Sequence, residues 1–107
     1  MKEKLTQNMS ARKSILVVDD HELVLRGIYH ILKQSFPEAE ILTADTGENA
    51  VKTLGGQSLD LVTVDLELPD MSGFNLIDYI RLNQPNAKIL VNTVHDEIWT
   101  VKRLAER

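Results

Sequence analysis

Ser14-Ile15-Leu16-Val17-Val18-Asp19-Asp20 is the stretch on which the fold turns. Its aliphatic and β-branched run is unbroken, the composition of a strand buried on both faces of a parallel sheet, and it ends in two acids. A strand with one wet face would alternate polar and apolar instead. Working outward, Glu40 to Ala44, Asp60 to Asp65 and Lys88 to Thr93 read as three further strands. Helical spacing fills the gaps. His21 to Ser35 carries Val24, Ile28, Ile31 and Leu32 on one face, and Phe36-Pro37 closes it. Gly47 to Leu54 is a short helix that Gly55-Gly56 is expected to end, and Gly73 leads into a helix with Leu76, Ile77 and Ile80 on one side, stopped near Gln84-Pro85. Asp96 to Arg107 carries Ile98, Val101 and Leu104 or Ala105 at helical spacing. Strands alternating with helices make βαβ units, and right-handed crossovers give an α/β, doubly wound parallel sheet with helices on both faces.

The chain has 107 residues and is 43% hydrophobic, enough for one core, so a single domain over residues 14–107 is expected behind a flexible leader at 1–13. Without cysteine there is no disulfide framework and no thiolate metal site. The longest apolar runs are strand-length and the leader lacks an apolar core, which predicts a cytoplasmic protein with no membrane contact. A formal charge of −4 argues against direct nucleic-acid contact from this segment.

In open parallel sheets, ligands bind beyond the carboxyl ends of the strands. Asp19 and Asp20 end the first strand, Asp65 the third and Thr93 the fourth, so distant residues should converge on one edge. Carboxylates brought together there repel: at ~4 Å and an effective dielectric near 20, each like-charged pair costs about 4 kcal/mol. Protonation of one or two acids, or a hard divalent cation, must offset that repulsion, and oxygen ligands with open positions for water favour Mg2+. Near such a cation the natural nucleophile is Asp65, at the end of the central strand, forming an acyl phosphate, with Thr93 able to hydrogen-bond a transferred oxygen. Taken alone, Asp19-Asp20 could equally be loop acids near a helix N-terminus. The joint pattern is much harder to produce by coincidence.

The chain resembles the receiver domain of bacterial response regulators, on Asp19-Asp20 after a hydrophobic strand, on Asp65-Leu66-Glu67-Leu68-Pro69-Asp70-Met71-Ser72-Gly73 after another, and on Thr93 at the end of a fourth. The resemblance runs from Ile15 to the C-terminus. It implies a flavodoxin-like sheet of order 2-1-3-4, with Asp65 as phosphoacceptor and Asp20 as a direct ligand of Mg2+. Asp19 would act through water or a supporting contact, Glu67 would give its backbone carbonyl to the metal, and Thr93 would be the switch hydroxyl. The side chains of Glu67 and His95 fall where the family tunes hydrolysis of the acyl phosphate. His21 and His95-Asp96 resemble receivers joined to a C-terminal helix-turn-helix transcription domain, although both histidines read first as exposed helix-start residues.

The resemblance also sets what should be missing. The family's lysine at the end of a fifth strand has no counterpart, since Lys88 begins strand four and Lys102 lies in the last segment. The receiver is therefore expected to be incomplete, lacking the fifth strand and helix, with strand four as an exposed edge prone to homodimer formation or strand exchange. Trp99 is expected to be a contact residue. The leading functional expectation is a phosphoacceptor served by a histidine kinase or phosphotransfer protein, a part of a transcription regulator and not a turnover enzyme. The alternative is a phosphorylation-independent interaction or dimerisation module with a vestigial acid pocket. A third reading, a magnesium-dependent phosphatase with Asp65 as nucleophile, would need Glu67 as its general acid.

Overall fold

A computed structural model describes residues 12–92. The leader up to residue 11, Thr93, His95 and the segment Asp96 to Arg107 with Trp99 and Lys102 lie outside the described residues. Within them the elements alternate as expected: β1 (Ser14–Val18), α1 (Glu22–Ser35), β2 (Glu40–Ala44), α2 (Gly47–Gly56), β3 (Leu61–Val64), α3 (Gly73–Asn83) and β4 (Lys88–Val91). The four strands are parallel in the order β2-β1-β3-β4, the doubly wound order the resemblance implied. β1 is one of the two inner strands, with Ile15 to Val18 all buried, which is why its sequence shows no alternation.

The two sheet faces are covered unequally. On one, Leu16, Val18, Val62 and Val64 pack with Ala50 and Leu54 of α2 and with Leu76, Ile77 and Ile80 of α3. On the other, Ile15 and Val17 meet α1 through Leu25, Ile28 and Leu32. Here the expected face of α1 is rotated: Leu25 replaces Val24 and Ile31 as an inner contact, and Ile31 is 61% exposed. The inward ladder is Leu25, Ile28, Leu32, and Val24 and Ile31, seven apart, share its flank.

The glycine pair does not end α2. The helix runs to Gly56, with Gln57 as its C-cap. Glycine costs helix stability, about 1 kcal/mol relative to alanine, but keeps its N–H and C=O, so buried Ala50 and Leu54 can carry the last turn through. The N-termini of α2 and α3 are capped by hydroxyls: Thr46 Oγ1 accepts from Asn49 N–H at 3.0 Å, and Ser72 Oγ from Phe74 N–H at 3.1 Å.

Candidate functional site

The backbone ladder runs one residue past three strands and so fixes the groups at the carboxyl edge. Asp19 N–H donates to Ala44 O at 3.0 Å, Asp65 N–H to Val18 O at 3.0 Å and Asn92 N–H to Val64 O at 2.8 Å. Asp19 and Asp65 are buried, only 2% and 4% exposed, because each follows a strand covered on both faces. Asp20, one residue further from the sheet, keeps a third of its side chain in solvent.

His21 is the N-cap residue of α1, and its ring turns into the acids instead of outward. Its backbone N–H donates to Asp19 Oδ1 at 2.8 Å. Its Nδ1 lies 2.9 Å from the same oxygen, 3.0 Å from Asp20 Oδ1 and 3.5 Å from Asp65 Oδ2. The other Asp19 oxygen, Oδ2, accepts from the side-chain amide of Asn92 at 3.1 Å. Asp65 Oδ1 accepts from the backbone N–H of Glu67 at 3.0 Å. Burial pushes the Asp65 carboxyl above its ordinary value; the Glu67 N–H acts against that shift, the charge of Asp19 adds to it, and smaller contributions come from His21, which lowers it, and Asp20, which raises it. The His21 imidazole is raised, first by its hydrogen bond to Asp19 and then by the charge of Asp20.

One ligand atom from each of Asp19, Asp20, His21 and Asp65 lies within 4.8 Å of the others. Three carboxylates, two of them buried, form an oxygen-rich and overcharged pocket of the kind a hard divalent cation satisfies. Among the described residues, the basic side chain paired with these acids is the His21 imidazole. Lys88 sits at the opposite end of the sheet, where its N–H donates to Asp60 O.

The loop after Asp65 is pinned at both ends. Leu66 O accepts from Gly73 N–H at 3.0 Å, and a side chain on Gly73 would press against Leu66 Cα and the carbonyl oxygen of Asp65, so the start of α3 can approach the site only as glycine. In the middle of the loop, the Asp70 carboxylate accepts from the N–H groups of Gly47 at 2.8 Å and Glu48 at 2.9 Å, at the start of α2. Those two N–H groups hold the Asp70 carboxyl below its ordinary value.

Of the residues the sequence singled out, the structure brings Asp19, Asp20 and Asp65 together and sets Glu67 beside Asp65; Thr93 lies outside the described residues. Asn92 and the inward ring of His21 were not anticipated. No motif marks Asn92. For His21 the signal was its place directly after the acid pair, where a short turn can fold a side chain back.

The sequence matches the response regulator receiver domain family over residues 15–107. It is 30% identical over 98 residues to the transcriptional regulatory protein DegU of Brevibacillus brevis, covering 91% of this chain and 40% of that protein. It is 36% identical over 84 residues to the response regulator UvrY of Escherichia coli strain K12, covering 78% of this chain and 38% of that one. The chain thus spans about 40% of the length of these curated relatives. Among solved structures it resembles the response regulator TrrA of Thermotoga maritima in complex with Mg(2+)-BeF, with TM-score 0.73 and 34% identity over 82% of this chain and 75% of that one. It also resembles a Burkholderia pseudomallei response regulator holding a phosphorylated aspartic acid and calcium, with TM-score 0.78 and 31% identity over 88% of this chain and 54% of that one. Among the described residues, no helix is long and apolar enough to cross a membrane. With the parallel sheet, the acids at its carboxyl edge and a match over nearly its whole length, the chain belongs to the response regulator receiver domain family.

Proposed function

We propose that Asp65 accepts a phosphoryl group from a histidine kinase or phosphotransfer protein, and that the domain formed by residues 14–107 serves as the receiving part of a transcription regulator. The observation that carries this reading is the meeting of buried Asp65 with Asp19 and Asp20 at the carboxyl edge of the sheet. A carboxylate oxygen of Asp65 attacks phosphorus as the donor's P–N bond breaks, the electron pair leaving with the donor imidazole, and the product is an acyl phosphate. Asp20 and Asp65 would hold Mg2+ directly, with Asp19 in support and the Glu67 backbone carbonyl completing the protein's share. When bound, that cation offsets the carboxylate charge and the charge gathering on the transferred oxygens. The Glu67 N–H steadies one oxygen of Asp65. Thr93, one residue past Asn92, would hydrogen-bond the phosphoryl group as the switch hydroxyl. On this reading the protein is a phosphoacceptor with at most slow self-dephosphorylation, not a turnover enzyme.

Intact mass after incubation with Mg2+ and acetyl phosphate tests this. The expected result is a single phosphoryl adduct on the wild type that is lost in Asp65→Asn. A folded wild-type protein that takes up no phosphate would leave the phosphorylation-independent interaction module as the better reading.

A further inference from the structure

We propose that the His21 imidazole is a resident occupant of the acidic pocket which must swing out when Mg2+ enters, so that His21 sets how tightly the cation is held. The inference rests on the reading of Asp19, Asp20 and Asp65 as a divalent-cation site. Its own support is geometric. A single atom, Nδ1, stands 2.9 Å, 3.0 Å and 3.5 Å from oxygens of all three acids. That places it among the lone pairs a cation would use. Mg2+ draws its oxygen ligands to about 2.0–2.1 Å in a near-octahedral shell that keeps several waters. A ring nitrogen already packed against the same oxygens leaves no room for that shell.

Ligation by the nitrogen in place of departure is disfavoured by the chemistry. Mg2+ prefers oxygen, and Nδ1 faces the carboxylates as an N–H donor, which the neutral tautomer with its proton on Nδ1 supplies. Departure is open to the ring. The His21 side chain is 53% exposed, and it sits at the N-cap, where rotation about its Cα–Cβ bond disturbs no helical hydrogen bond. Its backbone N–H keeps Asp19 Oδ1 satisfied after the ring has left, and Asn92 continues to hold Oδ2. The acid that loses most is Asp20, whose exposed carboxylate is then free to turn to the metal.

Calorimetric titration of Mg2+ into the wild type, His21→Ala and Asp20→Ala tests the idea, with the His21 ring followed by NMR. Removing one hydrogen bond that competes with the cation should tighten binding in His21→Ala by about three- to tenfold. In the wild type the His21 ring resonances should move toward those of a solvated imidazole as Mg2+ is added. Unchanged or weaker affinity in His21→Ala, with binding still lost in Asp20→Ala, would overturn the role of His21 and leave the cation site standing. Wild-type affinity in Asp20→Ala would instead overturn the cation site itself.

Discussion

The loop from Asp65 to Gly73 begins inside the protein and crosses its surface, and the two aspartates it carries five residues apart are treated in opposite ways. At the buried start, Asp65 faces two other acids and its carboxyl is pushed up by burial. In the exposed middle, Asp70 faces two helix N–H groups and its carboxyl is pulled down. The same side chain is held as an uncomfortable charge in one place and as a helix-capping charge in the other. One loop thus separates the acid cluster from the anchoring: Asp65 stands among the acids at its buried start, while Asp70 and Gly73 hold the rest of the loop in place.

The sharpest way to break this arrangement is to remove the close approach at its far end. Gly73→Ala places a methyl group against backbone atoms of Leu66 and Asp65 that cannot rotate away. Overpacking of this kind costs about 1–3 kcal/mol and should displace the loop as well. Chemical denaturation read by circular dichroism measures it. A wild-type midpoint would show that the start of α3 moves freely relative to Asp65. The comparable crowding at Gly47 involves only the flexible side chain of Met71, so the loop's rigidity lies at its buried end.

A smaller effect, of opposite sign, is expected at Asp65. Its carboxyl titrates higher in the folded protein than in the unfolded chain, so the folded state is the better proton binder. Above the folded value the buried charge costs stability. The cost fades as pH falls through that value and is gone below the ordinary carboxylate range. Asp65→Asn should therefore melt at a higher temperature than the wild type near neutral pH, with the two curves drawing together in acid. Equal melting temperatures at neutral pH would mean that His21 and the Glu67 N–H already neutralise the burial cost.

How much of this could be read from the chain divides along similar lines. The parallel sheet and the convergence of Asp19, Asp20 and Asp65 follow from buried strands ending in acid, a signal of composition and order that survives without coordinates, whereas the strand order 2-1-3-4 was implied by the resemblance to the receiver family. What was illegible depends on side-chain direction. The rotation of α1 that brings in Leu25 and leaves Ile31 outside turns on which flank of an evenly apolar helix meets the sheet. Asn92 reaching Asp19 joins residues 73 positions apart, with no motif at the Asn92 end. Gln84 read only as part of a helix stop, yet its amide donates to Leu54 O and Gln57 O and its carbonyl accepts from Leu59 N–H, tying the end of α2 to the approach of β3. Asp70 belonged to a recognised segment, but its grip on α2 required knowing that the start of that helix lies beside the loop.

That grip gives the subtlest test. Because Asp70 titrates lower in the folded protein, its charge adds stability above the ordinary carboxylate range, and the gain is lost as pH falls through the lowered folded value. Asp70→Asn keeps an acceptor for one of the two N–H groups but gives up the charge that suits a helix N-terminus. The carboxylate is exposed and solvent screens it, so the loss near neutral pH should be the smallest of the three, a slight drop in melting temperature that closes only in strong acid. The diagnostic feature is the sign. Near neutral pH, Asp65→Asn should melt above the wild type and Asp70→Asn below it, although both replace the same carboxylate by the same amide within one loop. If the two variants moved in the same direction, the opposed environments at the start and middle of the loop could not be what sets the stability of either end.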